Sequence, residues 1–345
     1  MHQSKTIQLL ATRKQDLMVA KNILAHEGLV ALPTETVYGL AANGLSAKAI
    51  LKVFAAKDRP ANNPLILHTD TAEKALQLFD VSQFSPIVLS RFDRLAQKFW
   101  PGPLTIIAPK NGHIPLEATA GLSHVAVRIP NNDATNKILS MLDFPLVMPS
   151  ANLSTRPSPT CAMHVLKTLD GRIDAVLDDG PSLVGIESTV VRIDKDFVEI
   201  LRPGMIDQEQ LEACLDESVK FSQKTSTPQC PGQSFLHYSP KVSKVALCSH
   251  QSIDKRWPTD DVIIATKNDF SQKETALGMR PKDSINIILS DEPALYAKGL
   301  YDALYLAENS PEKQLSILEP KDSHRFLAVI DRIARASSLK SNFFS

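Results

Sequence analysis

Short apolar runs recur along the first two-thirds of this chain, and several run straight into proline or small polar residues. Residues 29–32, 65–67, 104–108, 125–129, 144–148 and 189–193 have the length and β-branched content of buried strands. Helical patterns fall between them. One covers 16–27, with Gly28 as its stop, and another covers 46–57, with Ser46 as its N-cap. Strands and helices interspersed in this way predict an α/β layered fold. Residues 222–240 break the pattern, being rich in Ser, Thr, Pro and Gln without a sustained period, and read as a linker or long loop. A second, shorter α/β pattern follows. Its strands are expected at 245–248, 262–265 and 285–289, and its helices at 292–308 and 323–339. The division expected is a first domain over 1–206, a linker or lid over 207–240 and a small domain over 241–345. A length of 345 residues is more than one core usually holds.

Charge and cysteine content narrow the function classes. Lys plus Arg and Asp plus Glu number 38 each, so the formal net charge is zero. A protein that held nucleic acid chiefly by neutralising phosphates would be basic. None of the four cysteines lies in a CxxC pair, so no zinc site is expected and a reducing compartment fits. No signal-peptide pattern opens the chain, and no apolar run reaches the roughly 18 residues of a membrane span. The expectation is a cytoplasmic protein without membrane partners. There is no internal repeat and no GxxxxGK[ST] phosphate loop.

Polar residues cluster where the apolar runs end. Pro33-Thr34-Glu35-Thr36-Val37-Tyr38-Gly39-Leu40 places hydroxyls and a glycine after a strand, either facing a ligand or forming an ordinary polar turn. Lys57 and Arg59, followed by Asn63-Pro64-Leu65 and His68, suit a polyphosphate; the alternative is a cationic helix end. Trp100-Pro101-Gly102-Pro103 reads as a rigid turn with Trp100 packed inside. Arg128 stands in an apolar strand, which is costly unless an anion meets it or the strand is an edge. Pro149-Ser150-Ala151-Asn152 suits a phosphate or a helix cap. Ser188-Thr189 opens one strand, and Arg202 stands at the exit of the next.

Together PTETVYGL, KxRPxxNPL, WPGPLT, VAVRIP, PSANLS, GIESTVV and LRPG occur in the order that is similar to the YrdC/Sua5 family, from about residue 12 to 204. CPGQSFLHYSP and the second α/β region resemble the longer, Sua5 branch. The resemblance implies a YrdC-like twisted, open mixed sheet with helices, plus a smaller Rossmann-like α/β Sua5 domain. It implies synthesis of L-threonylcarbamoyl-AMP from L-threonine, bicarbonate and ATP with Mg²⁺, for the N6-threonylcarbamoyl group of tRNA adenosine 37. Partners implied are these substrates, and tRNA or the downstream transfer machinery. L-threonine is assigned to Thr34, His68, Arg128, Ser188 and the backbone near Met148. ATP is assigned to Lys57, Arg59, Asn63, Ser150, Asn152, Arg202 and Tyr238, with His124 and Ser158 as further contacts and Lys57 and Arg59 as the catalytic cations. Residues 222–240 are expected to form a mobile lid. The chain departs from the family pattern at Ser234 and Phe235 (often Lys and Tyr) and at Asp58 and Thr155 (often Gly). Two rival readings are a carbamoyl-adenylate synthase of the hydrogenase-maturation type and an RNA-binding module. The first lacks its acylphosphatase-like region and zinc fingers here, and zero net charge opposes the second.

Overall fold

The computed structural model describes residues 5–222, 238–249, 261–277 and 284–337. It divides into two compact units. The first comprises 1–154, 159–183 and 187–233; the second comprises 155–158, 184–186 and 234–345.

The first unit is an 11-stranded mixed sheet covered by helices. Its strands are β1 (Ile7–Leu10), β2 (Val30–Leu32), β3 (Gly39–Asn43), β4 (Ile66–His68), β5 (Leu104–Pro109), β6 (His124–Arg128), β7 (Leu146–Val147), β8 (Ala175–Asp178), β9 (Thr189–Ile193), β10 (Val198–Arg202) and β11 (Lys220–Phe221). Across the sheet the order is β1-β8-β2-β3-β7-β4-β6-β5-β9-β10-β11. Its helices are α1 (Lys14–Ala25), α2 (Ala47–Lys57), α3 (Ala72–Leu78), α4 (Pro86–Phe99), α5 (Leu116–Thr119), α6 (Asp133–Ser140), α7 (Ala162–Leu169) and α8 (Gln208–Leu215). The described residues of the second unit form four parallel strands in the order β12-β15-β13-β14. These are β12 (Lys244–Cys248), β13 (Val262–Thr266), β14 (Ile285–Leu289) and β15 (Gln314–Leu318). They accompany α9 (Lys267–Leu277), α10 (Pro293–Ala307) and α11 (Leu327–Ala336). The α/β expectation holds in both units. No helix among the described residues is long and apolar enough to cross a membrane.

Local chemistry explains the helix starts. Ser46 Oγ accepts from Ala49 N at 3.2 Å, which caps α2. Asp207 and Gln210 form a reciprocal capping box on α8. Three boundaries differ from the sequence reading. Helix α1 ends at Ala25, and the left-handed residue beyond it is Glu27 (φ 59°), not Gly28. Gly28 answers a close approach instead, because a Cβ there would lie 2.5 Å from Ile23 Cγ2. The helix expected from 323 starts at Leu327. Residues 207–222, placed in the linker, carry α8 and β11 of the first unit. The lid expected over 222–240 lies almost wholly outside the described residues.

Strand alternation decides what faces what. Val125 and Val127 of β6 join the large core cluster with Leu67, Ile106, Val147 and Val191. Ala126 points the other way, into a small cluster with Ile66, Ile107, Val190 and Leu201. Successive side chains point to opposite faces, so Arg128 shares the face of Ala126. The register Ile66↔Ala126, His68↔Arg128 adds His68 to it. Thr105 joins because Ile107 pairs Ala126, and Arg202 joins because it pairs Val190. One face therefore carries little apolar cover where these polar residues end their strands.

Candidate functional site

Arg128 is the centre of that face. Strand β6 lies between β4 and β5, so it is no edge, and Arg128 is 4% exposed. Its Nε donates to Gly102 O (3.1 Å) and its Nη1 to Thr36 Oγ1 (2.9 Å). Its Nη2 lies 2.7 Å from Glu35 Oε1. The anion that an arginine in an apolar strand demands is thus supplied by the neighbouring loop.

That loop is set by β2 and β3, which pair antiparallel with Leu32 opposite Gly39. Residues 33–38 close the turn. Thr34 Oγ1 donates to Val37 O at 2.6 Å, leaving Thr36 to donate across the 2.8 Å contact between the two hydroxyls. The relay therefore runs from Arg128 through Thr36 to Thr34. Ser182 Oγ donates to Thr34 O (2.9 Å) and Tyr38 OH to Gly180 O (2.6 Å), fixing the loop from outside.

His68 and Ser188 complete the group. His68 is buried, and its pKa is pushed down to about 3, first by burial and then by the charge of Arg128. It is a neutral imidazole whose Nδ1 lies 3.1 Å from Ile66 O. Ser188 Oγ lies 2.8 Å from Thr105 Oγ1 and accepts from Arg202 Nη2 at 3.1 Å. Arg202 also donates through Nε and Nη2 to Ser188 O. Met148 N donates to Ile66 O at 3.2 Å, which seats its backbone beside β4.

A second group is built at the end of α2. Lys57 Nζ donates to Ser150 O and Asn152 O, at 2.5 Å each. Burial, and next the charge of Arg59, holds its pKa well below the usual lysine value. Arg59 Nη2 donates to Pro64 O (3.0 Å), and Asn63 O lies 3.4 Å from it. Asn63 Oδ1 is buried without a hydrogen bond. The two groups are joined through backbone: Leu40 N donates to Pro149 O (2.6 Å) and Ala151 N to Tyr38 O (2.8 Å). The Thr34 loop and the Ser150 loop are therefore tied together by backbone hydrogen bonds.

The other expected residues lie elsewhere. His124 opens β6 on the same face as Arg128, about 13 Å away at the rise of a strand. Its pKa is lowered, mainly by burial and then by Arg192. Ser158 and Tyr238 belong to the second unit. The Tyr238 ring packs on Tyr301 (5.4 Å between centroids), with the Arg332 guanidinium 5.8 Å from it. Trp100 is structural as expected, donating from Nε1 to Leu104 O (2.7 Å) and packing edge-on against Phe92. Sequence reasoning did not single out Glu35, Thr36 or Thr105. The available signal for Glu35 was Arg128 itself, whose need for an anion the motif beside it could meet. Among the described residues no group of three His, Cys, Asp or Glu is placed to hold a metal ion. Lys57 and Arg59 donate to backbone carbonyls, and the carboxylate between them, Asp58, is paired with Arg172, which does not fit a protein cage for Mg²⁺.

Known proteins share this architecture. The Sua5/YciO/YrdC family model, described as "Telomere recombination", matches residues 22–204. One described as "Threonylcarbamoyl-AMP synthase, C-terminal domain" matches residues 206–338. The threonylcarbamoyl-AMP synthase of Pyrococcus abyssi is 33% identical over 339 residues, covering 94% of each chain. That of Bacillus subtilis is 39% identical over 243 residues, covering 69% of this chain and 68% of its own. The crystal structure of P. abyssi Sua5 complexed with L-threonine superposes with a TM-score of 0.84 at 29% identity, covering 98% of both chains. With both of its regions matched and a full-length relative at this identity, the chain belongs to the Sua5/YciO/YrdC family, in the branch that carries the Sua5 C-terminal domain.

Proposed function

We propose that this protein is a threonylcarbamoyl-AMP synthase, converting L-threonine, bicarbonate and ATP into threonylcarbamoyl-AMP, diphosphate and water. The observation that carries the reading is the pairing of two groups on one braced backbone piece. One is an arginine among hydroxyls; the other is a lysine–arginine pair. Arg128 offers the planar fork that a carboxylate matches. Thr34, Thr36 and Ser188 supply short hydroxyl partners for the substrate's own hydroxyl, and neutral His68 offers a nitrogen without a competing charge. Lys57 and Arg59 offset charge on the triphosphate, with Ser150, Asn152, Asn63 and Arg202 around it. His124 is assigned to ATP as a further contact; for Ser158 and Tyr238, which belong to the second unit, that assignment rests on the family resemblance alone. Phosphoryl chemistry of this kind is governed by positioning and charge neutralisation. Mg²⁺ accompanies the ATP phosphates, and no step is assigned to it. The adenylate is taken to serve N6-threonylcarbamoyladenosine formation on tRNA, and a cytoplasmic location is part of the same reading.

The two groups make separable contributions. Arg128→Ala is expected to raise the KM for threonine at least about tenfold, equivalent to about 1.4 kcal/mol, while changing the KM for ATP far less. Lys57→Ala and Arg59→Ala are expected to lower adenylate formation by at least about tenfold. Steady-state diphosphate release, with each substrate varied in turn, reads both. An Arg128→Ala protein that weakens ATP alone contradicts the threonine assignment.

A further inference from the structure

Glu35 is a buried titratable group that the reaction just outlined leaves unused. It is 6% exposed, and neither carboxylate oxygen makes a hydrogen bond. Among the described residues its polar contact is the 2.7 Å approach of Oε1 to Arg128 Nη2. An ionised carboxylate has about four lone-pair sites. Burying it with a single ionic contact is expensive, and structural carboxylates usually collect further donors. Oε2 has none. The charged group facing it is Arg128, with neutral His68 beyond.

A cation and an anion held side by side complement a zwitterion. Of the five N–H groups of Arg128, one donates to Gly102, one to Thr36, and Nη2 faces Glu35. The substrate replaces the Glu35–Arg128 contact with two, its carboxylate on Arg128 and its ammonium on Glu35. Near neutrality threonine's amine is protonated and has no lone pair for carbon. Resting on the function proposed above, we infer that Glu35 is a catalytic residue that binds the threonine ammonium and removes its proton for carbamate formation. The proton passes from nitrogen to Oε2. The freed nitrogen lone pair forms the N–C bond to bicarbonate, and one C–O bond breaks to release water. The sum is R–NH₃⁺ + HCO₃⁻ + Glu35–COO⁻ → R–NH–COO⁻ + H₂O + Glu35–COOH, balanced in atoms and charge.

The test uses the full-length protein and Glu35→Gln, which keeps the volume and removes the base. With ATP and bicarbonate saturating, kcat/KM for threonine is measured from pH 6 to pH 9. The variant is expected about 100-fold below wild type at pH 7. The gap should narrow about tenfold per pH unit as free-amine threonine rises. A mere structural partner of Arg128 gives a gap that does not change with pH, and that result, or no gap, overturns the inference. Calorimetric binding of threonine against 2,3-dihydroxybutyrate, in which hydroxyl replaces amine, reads the ammonium contact without turnover. Wild type should prefer threonine and Glu35→Gln should lose the preference; a retained preference overturns the inference. Wild type that shows this binding pattern but makes no adenylate refutes the proposed function and leaves the ammonium contact standing. Should Glu35→Gln not fold, Glu35→Asp retains a carboxylate and should keep the wild-type pH profile at reduced rate. A Glu35→Asp profile that instead climbs with free-amine threonine contradicts the proposal.

Discussion

At the scale of single residues, the site is a set of buried polar groups whose ionisation is fixed by their neighbours. His68 shows this most clearly. Its pKa of about 3 in the folded chain lies far below the ordinary value of about 6.5. The unfolded chain therefore takes up a proton below about pH 6.5 that the folded chain refuses. Stability from this group is intact above that pH and falls as pH drops toward 3, by up to about 1.4 kcal/mol per pH unit. Denaturant titrations at pH 7 and pH 5 should show a smaller acid loss in His68→Gln than in wild type. An identical loss in both would mean that His68 is not held neutral. Arg128 was legible as a residue in need of an anion, because charge inside an apolar strand has few outlets. Glu35 was not, since a carboxylate in a polar turn also reads as solvent-exposed. Only the return of β3 onto β2, which pairs Leu32 with Gly39, buries it.

At the scale of elements, the strand ends were readable and their mutual register was not. The apolar runs located β4, β5, β6 and β9 to within a few residues. Period-two alternation then fixes which side chains share a face once pairing is known. The pairing β5·β9, which brings Ser188 to Thr105 across 83 residues, is long-range information that no local pattern carries. The same holds for the bend after β10. Gly204 lies so close to the start of β9 that a Cβ would sit 2.4 Å from Thr189 N and 2.8 Å from Ser188 C. Gly204→Ala must push this segment away, which is expected to cost about 1–3 kcal/mol and to raise the KM for threonine by moving Ser188. Chemical denaturation and threonine titration check both effects. A variant with wild-type stability and KM would contradict the close packing.

At the scale of the whole molecule, two cores were foreseeable from the break in pattern near residue 222, but the path of the chain was not. Residues 155–158 and 184–186 leave the first unit's sequence to join the second, so Ser158 is held by a different core from Ser150 and Asn152. Each unit has its own sheet, and the Arg128 group together with the Lys57–Arg59 pair lies in the first. The proposed function requires an adenylate carrying one carbon from bicarbonate. The most direct measurement is mass spectrometry of the product made from ATP, L-threonine and ¹³C-bicarbonate, with diphosphate counted alongside. The expected result is threonylcarbamoyl-AMP carrying a single ¹³C in its carbamoyl group, one diphosphate for each adenylate, and none of either when threonine is omitted. Diphosphate release that is indifferent to threonine, or an adenylate without the label, would contradict it.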